Sequence, residues 1–197
     1  MVRAYKFLRN DMISGSGVEP AWKIGEKRHI KGKLELCQRG YHSSPSFYDA
    51  LNFAQGNMAC IVEVTRPQHK QADKYVSSSC TIVSCKDAEK VLRAWVCDCA
   101  ERALKKAKVT DERSWNAIKV ARLFNEGKAT KEELYAARAA AWAAAWAAAG
   151  AAARDAAWAA AWDAAWAAAG DAAGDAEIQW QRNHLQELMV ELFEGGK

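Results

Sequence analysis

The chain has no paired Cys-x-x-Cys, no Gly-x-x-x-x-Gly-Lys loop, no Ser-His-Asp order and no dense run of Lys and Arg. Each absence removes a class of function. Without paired cysteines the usual zinc sites are excluded: Cys37, Cys60, Cys80, Cys85, Cys97 and Cys99 stand apart, and Cys97 and Cys99 point to different sides of a helix. Without the glycine loop there is no backbone cradle for a nucleotide's phosphates, and without the triad order no activated serine. Net charge is only +4, and residues 1–86 carry 13 Lys and Arg against 7 Asp and Glu. A head this mildly basic is not expected to bind nucleic acid. Met1 to Leu8 has charges inside it and lacks the apolar core of an export signal, so reduced thiols in a cytosol are expected. No metal and no cofactor is expected.

The longest apolar stretch is alanine. From Ala136 to Ala176, 27 of 41 residues are Ala, and every fourth residue from Leu134 gives Arg138, Trp142, Trp146, Gly150, Arg154, Trp158, Trp162, Trp166, Gly170, Gly174 and Ile178. Alanine has the best helix propensity and loses no side-chain entropy, so this stretch is predicted helical. Arg154, Asp155 and Asp163 near its middle argue against a membrane span. At 3.6 residues per turn a step of four advances about 40°, so the stripe winds slowly and in a right-handed sense around the helix. Each indole can bury roughly 150 to 250 Å², and five of them left in water would form an unusually large apolar patch. Trp142, Trp146, Trp158, Trp162 and Trp166 are therefore read as an interaction surface, either core or a contact through which copies of the chain associate.

Taken in order, the chain reads as an α+β head (1–86), a helical connector (87–129) and an Ala/Trp-rich long helix with a C-terminal amphipathic helix (130–197). In the head, strands are expected at Ala4–Leu8, His29–Cys37, Ala59–Val64 and Tyr75–Ser84, with a short helix at Phe47–Ala54 capped by Ser44 or Ser46. From Asp87 to Lys108, Val91, Leu92, Trp95, Val96, Cys99 and Ala103 mark one buried helix face, and Asp98 and Arg102 are placed to pair on the other. A second helix is predicted from a Thr110 cap to Glu126, stopped by Gly127. Thr130 and Glu133 form a capping box that starts the alanine helix. The last helix is placed at Glu177–Phe193, with any reversal of the chain near residues 170–176, because hairpins need roughly two to five loop residues.

Two stretches carry a resemblance. The head, with Ala4-Tyr5-Lys6, Trp22 to Gly25, Leu36-Cys37, Gly40-Tyr41-His42-Ser43 and Ile61-Val62-Glu63-Val64, resembles an uncharacterised domain of bacteriophage and prophage proteins. The run Trp95-Val96-Cys97-Asp98-Cys99-Ala100-Glu101-Arg102-Ala103-Leu104, continuing into the alanine repeats, is similar to helical proteins described as immunity proteins. The resemblance implies a phage accessory protein in the host cytosol that binds, and inhibits, a host defence or regulatory factor. A structural oligomerisation protein is one alternative reading, and a nucleotide-binding head is another.

Tyr41-His42-Ser43-Ser44 with Glu63 is the best candidate site, and Arg39, Tyr41, His42 and Ser44 are the candidate ligand-binding residues. The same segment is faintly similar to ADP-ribosyltransferases. That resemblance implies Arg39 or His42, Ser43 orienting a ribose, and Glu63 stabilising the developing oxocarbenium charge of a bound nucleotide. The plainer reading has His42 and the serines satisfying a turn and capping the next helix, with Glu63 in solvent. Catalysis has little positive support.

Overall fold

Met58-Ala59-Cys60-Ile61-Val62-Glu63-Val64 holds one charged residue among seven, and in a computed structural model it forms β4 (Met58–Val64), in which only Glu63 is exposed. The structure describes residues 1–15, 19–65, 67, 69–143 and 163–195, with backbone alone for 69–70 and 163–173. A strand buried on both faces needs a neighbour on each side. Here β4 pairs antiparallel with β1 (Val2–Leu8) and with β7 (Ser79–Asp87), and β2 (Lys27–His29) adds to the far side of β7. A second sheet of β3 (Tyr41–Ser43), β6 (Tyr75–Ser77) and β5 (His69–Lys70) leans on the first through a bridge between Tyr5 and Ser44. The fold is α+β, as the sequence predicts.

The strands alternate as a two-sided sheet requires. Ala4 and Leu8 of β1 join Cys60, Val62, Val64, Cys80, Ile82 and Trp22 in one core, while Tyr5 and Phe7 turn the other way onto Phe47. Burying each large aliphatic side chain of this set contributes roughly 1.5–3 kcal/mol. Phe47 begins α1 (Phe47–Leu51), whose N-cap is Ser46: its hydroxyl accepts from the Asp49 N–H at 3.1 Å. Cys60 and Cys80 are fully buried in the same core, and burial pushes the Cys80 thiol up to about 11.

Two strands depart from the expectation. His29–Cys37 is not one strand: β2 ends at His29 and the chain runs on as a loop to Gly40. Tyr75–Ser84 is two strands, divided at Ser78, one in each sheet. Apolar periodicity cannot register that change of partner. Thr65 pins the division: its carbonyl accepts from the Ser77 hydroxyl (3.0 Å) and its hydroxyl accepts from the Ser79 N–H (3.2 Å).

The chain divides into two compact units, Met1–Val91 with Arg182–Lys197, and Leu92–Gln181. The expected boundaries at 86 and 129 therefore miss one feature, since the C-terminal end of the chain belongs with the head. There Leu185 and Met189 are fully buried, Phe193 stacks on Phe47 at 5.6 Å, the Arg182 guanidinium meets Asp49 Oδ1 at 2.8 Å, and Lys86 donates to the Leu192 carbonyl at 2.8 Å.

The second unit is helical. Its helices are α2 (Glu89–Lys106), α3 (Glu112–Asn125), α4 (residues 131–143) and α5 (Asp163–Glu194), of which α2 and α5 each extend into the first unit. The capping box forms as predicted, with Thr130 N–H donating to Glu133 Oε2 (2.7 Å) and Glu133 N–H to the Thr130 hydroxyl (3.1 Å). Gly127 ends α3 with φ +74°. The α3 cap is Asp111, not Thr110; the Asp111 carboxylate accepts from the Arg113 N–H at 2.9 Å.

The buried face of α2 is also turned from the one expected: Cys97 is 5 % exposed and Val96 is 56 % exposed. The Trp95 indole, donating to the Gln181 carbonyl at 3.1 Å, helps set that rotation. Asp98 and Arg102 do not pair with each other. Asp98 binds Arg122 of α3 at 2.8 Å, and Arg102 binds Glu177 of α5 at 2.9 Å, because cross-helix partners in a part-buried setting outcompete a surface i, i+4 pair worth a few tenths of a kcal/mol.

No reversal occurs at 170–176. Helix α5 runs unbroken through Gly170 and Gly174. Two single glycines amid alanine cost about 1 kcal/mol each, and neither supplies the run of non-helical residues that a hairpin needs.

Candidate functional site

The loop that leads into β3 is tied by Arg39. Its guanidinium donates to the Lys33 carbonyl at 2.6 Å and the Lys31 carbonyl at 2.7 Å, while its backbone closes on Glu35. Gly40 follows at φ +133°, where a Cβ would meet Val76 Cγ2 at 2.4 Å, so only glycine admits this close approach to β6.

His42 is then fixed through Nε2. Nε2 accepts from the Cys37 N–H at 2.8 Å. Burial first, and then the Lys6 and Lys74 ammonium groups, push its pKa below the ordinary value, against the opposing pull of Gly40 and Glu19. The ring is therefore neutral at pH 7 and works as a strut between the loop and the strand. Cys37 stands at φ +68°, a left-handed conformation that this hydrogen bond helps to hold.

Beside this strut lies a cleft of about 260 Å³, lined by Tyr5, Lys6, Phe7, Cys37, His42, Ser43, Ser44, Ala50, Phe53 and Lys74. Ser44 is held by a reciprocal backbone pair with Tyr5, at 2.9 and 2.7 Å. Ser43 is 4 % exposed and its hydroxyl has no hydrogen-bond partner. Lys74 Nζ lies 3.1 Å from Cys37 Sγ and 3.9 Å from the Phe53 ring centre. Lys6 Nζ reaches the Ser14 hydroxyl at 3.3 Å and stands 5.4 Å from the Trp22 ring centre.

The structure thus brings His42, Ser43 and Ser44 together. Tyr41 lines an adjoining hollow, with its ring edge-on to Trp22 at 5.6 Å and its hydroxyl pKa raised mainly by burial. Arg39 opens onto a different hollow with Glu19 and Arg28. Glu63 is exposed opposite Arg3 and Thr81 and is not among the residues lining the cleft. The nucleotide-processing set of Arg39 or His42, Ser43 and Glu63 is consequently not gathered in it.

Sequence reasoning passed over Lys6, Lys74 and Phe53. Lys6 left a signal: it takes the core-facing register of β1 between Ala4 and Leu8, where a lysine is out of place. Lys74 left none.

Of the tryptophan stripe, Trp142 is described and is 69 % exposed on α4. Trp146, Trp158 and Trp162 lie outside the described residues, as does the side chain of Trp166. Among the described residues no helix is long and apolar enough to cross a membrane.

Residues 2–94 match a domain of unknown function (DUF7666). No curated protein and no solved structure matches the chain.

Proposed function

We propose that this protein acts by binding and not by turnover, as a phage accessory protein that inhibits a host defence or regulatory factor in the host cytosol, with the His42 cleft as a small-ligand site. The observation that carries the binding reading is the state of His42. Its Nε2 accepts from the Cys37 N–H, so this nitrogen is not free to take a proton and the ring shapes the cleft wall. The accessory role rests on the resemblance of the head and of the helical segment from Trp95.

The test is a thermal-shift panel on the full-length chain with NAD, ADP-ribose, cyclic nucleotides, small phosphates, carboxylates and neutral analogues at millimolar concentration, each followed for product. A ligand that binds only the native state stabilises it by mass action, by about 2.7 kcal/mol at a hundred times its Kd. Stabilisation by at least one compound without product supports the reading. Turnover of any of them, or silence of all, overturns it.

The exposed Tyr135 (63 %) and Trp142 on α4 favour a second element of the same reading, self-association through the tryptophan stripe. Changing Trp142, Trp146, Trp158, Trp162 and Trp166 to Ala should convert an oligomer into a helical monomer in solution-mass measurements. A variant that keeps the mass of the native chain removes this element.

A further inference from the structure

We infer that the His42 cleft takes a small phosphomonoester, with its phosphoryl group held by the Lys6 and Lys74 ammonium groups and the Ser43 hydroxyl as a further donor. The inference rests on the binding reading above and names its ligand class.

Charge is the first argument. Both lysines line one cleft, and among the described residues neither ammonium has a carboxylate partner. Their contacts are a hydroxyl, a thiol and two aromatic rings. Glu19, the carboxylate of the adjoining hollow, is engaged with Arg28 at 3.4 Å. Two positive charges beside a neutral, part-buried imidazole make a local potential that an anion relieves. A phosphate monoester brings about −1.5 to −2 charges near neutral pH, a closer match than the single charge of a carboxylate, and lysine serves phosphate as a point charge.

The second argument is the Ser43 hydroxyl. It is buried without a partner, and a polar group left so costs about 1–3 kcal/mol. A phosphoryl oxygen in the cleft would accept from it.

Size and lining supply the third. About 260 Å³ is below the roughly 300–1,000 Å³ of pockets that enclose drug-sized ligands, so a dinucleotide is too large and a single small phosphorylated unit fits. Tyr5, Phe7 and Phe53 offer apolar walls to its organic part.

The experiment is calorimetric titration of the full-length chain with phenyl phosphate, inorganic phosphate, benzoate and benzyl alcohol. The proteins compared are the native chain, Lys6→Met, Lys74→Met, Ser43→Ala, the charge-keeping Lys6→Arg and Lys74→Arg, and Lys128→Met as a remote control. Phenyl phosphate is expected to bind at least tenfold tighter than benzoate, and more weakly as salt is raised. Inorganic phosphate binding as tightly as phenyl phosphate would assign the cleft to the free anion and overturn the monoester. Each Met variant should lose about tenfold in affinity and Ser43→Ala several-fold, while both Arg variants retain most of it and the control is unchanged. Equal binding of benzoate and phenyl phosphate, or native affinity in both Met variants, overturns the assignment. A chain that ignores phenyl phosphate yet responds to a carboxylate or neutral compound keeps the binding role and loses the phosphate. Silence towards every compound removes both.

Discussion

His42 carries a pH dependence whose sign follows from its surroundings. Burial and two neighbouring ammonium groups lower its pKa in the folded chain, whereas in the unfolded chain it returns to the ordinary histidine value near 6.5. The folded state then binds fewer protons at this position, so stability falls as the pH drops below about 6.5 and through the depressed folded value. In His42→Gln the side-chain oxygen can still accept from the Cys37 N–H, but nothing titrates. This variant should lose about 1 kcal/mol at pH 8 from imperfect hydrogen bonding and show a shallower fall in Tm between pH 7 and pH 5 than the native chain. Parallel Tm profiles for the two proteins would show that His42 is not protonated in that window. The same ring explains why the segment was readable: a histidine shortly before a helix satisfies a nearby backbone group, the Cys37 N–H, and Ser46 caps α1. Of the two lysines that line the cleft, Lys6 left a signal on β1, but its company with Lys74 beside β6 left none, because the two are far apart in sequence and joined only by the fold.

Among the elements, two glycines with empty space around them have opposite futures. A Cβ at Gly127 or at Gly174 would meet nothing within 4 Å. Gly127 stands at φ +74°, where a side chain strains the backbone, so Gly127→Ala should destabilise the second unit by about 1 kcal/mol. Gly174 lies inside α5, where alanine is the better residue, so Gly174→Ala should stabilise by up to about 1 kcal/mol. Urea denaturation of both variants checks the pair, and a loss of stability from Gly174→Ala would mean that α5 is interrupted there after all. The contrast marks what the sequence could give. Signals completed within four or five residues, such as the Thr130–Glu133 box and the Gly127 stop, were legible because their partners are local. The partner of Asp98 was not: Arg122 is 24 positions away, and only the packing of α3 beside α2 makes it a better choice than Arg102. The division of Tyr75–Ser84 failed for the same reason, since alternation reports which face is apolar and not which strand lies alongside.

At the scale of the molecule, the region matched by the domain family and the body that folds around it are different sets of residues. The match ends at 94, but the head's own compact unit takes in Arg182–Lys197. Leu185 and Met189 are completely buried there, and truncating a side chain of this kind to Ala costs about 2–5 kcal/mol. Asp49 is 2 % exposed, and without Arg182 it would be left with the Ser46 hydroxyl, at 2.6 Å, as its side-chain partner. Native domains hold only about 5–15 kcal/mol in total, so losing the whole C-terminal segment removes a large share of the head's stability. A fragment of residues 1–94 should therefore lack a cooperative thermal transition, while the same fragment mixed with a peptide of residues 177–197 should recover one. In the full chain, Leu185→Ala should lower the head's stability by at least 2 kcal/mol, and Arg182→Ala by less, because the guanidinium is 37 % exposed and partly screened by water. A 1–94 fragment that melts cooperatively at the native temperature would show that the head needs no C-terminal helix. A fragment rescued by the peptide would show the opposite, that this helix is structurally part of the head even though it lies outside the matched region.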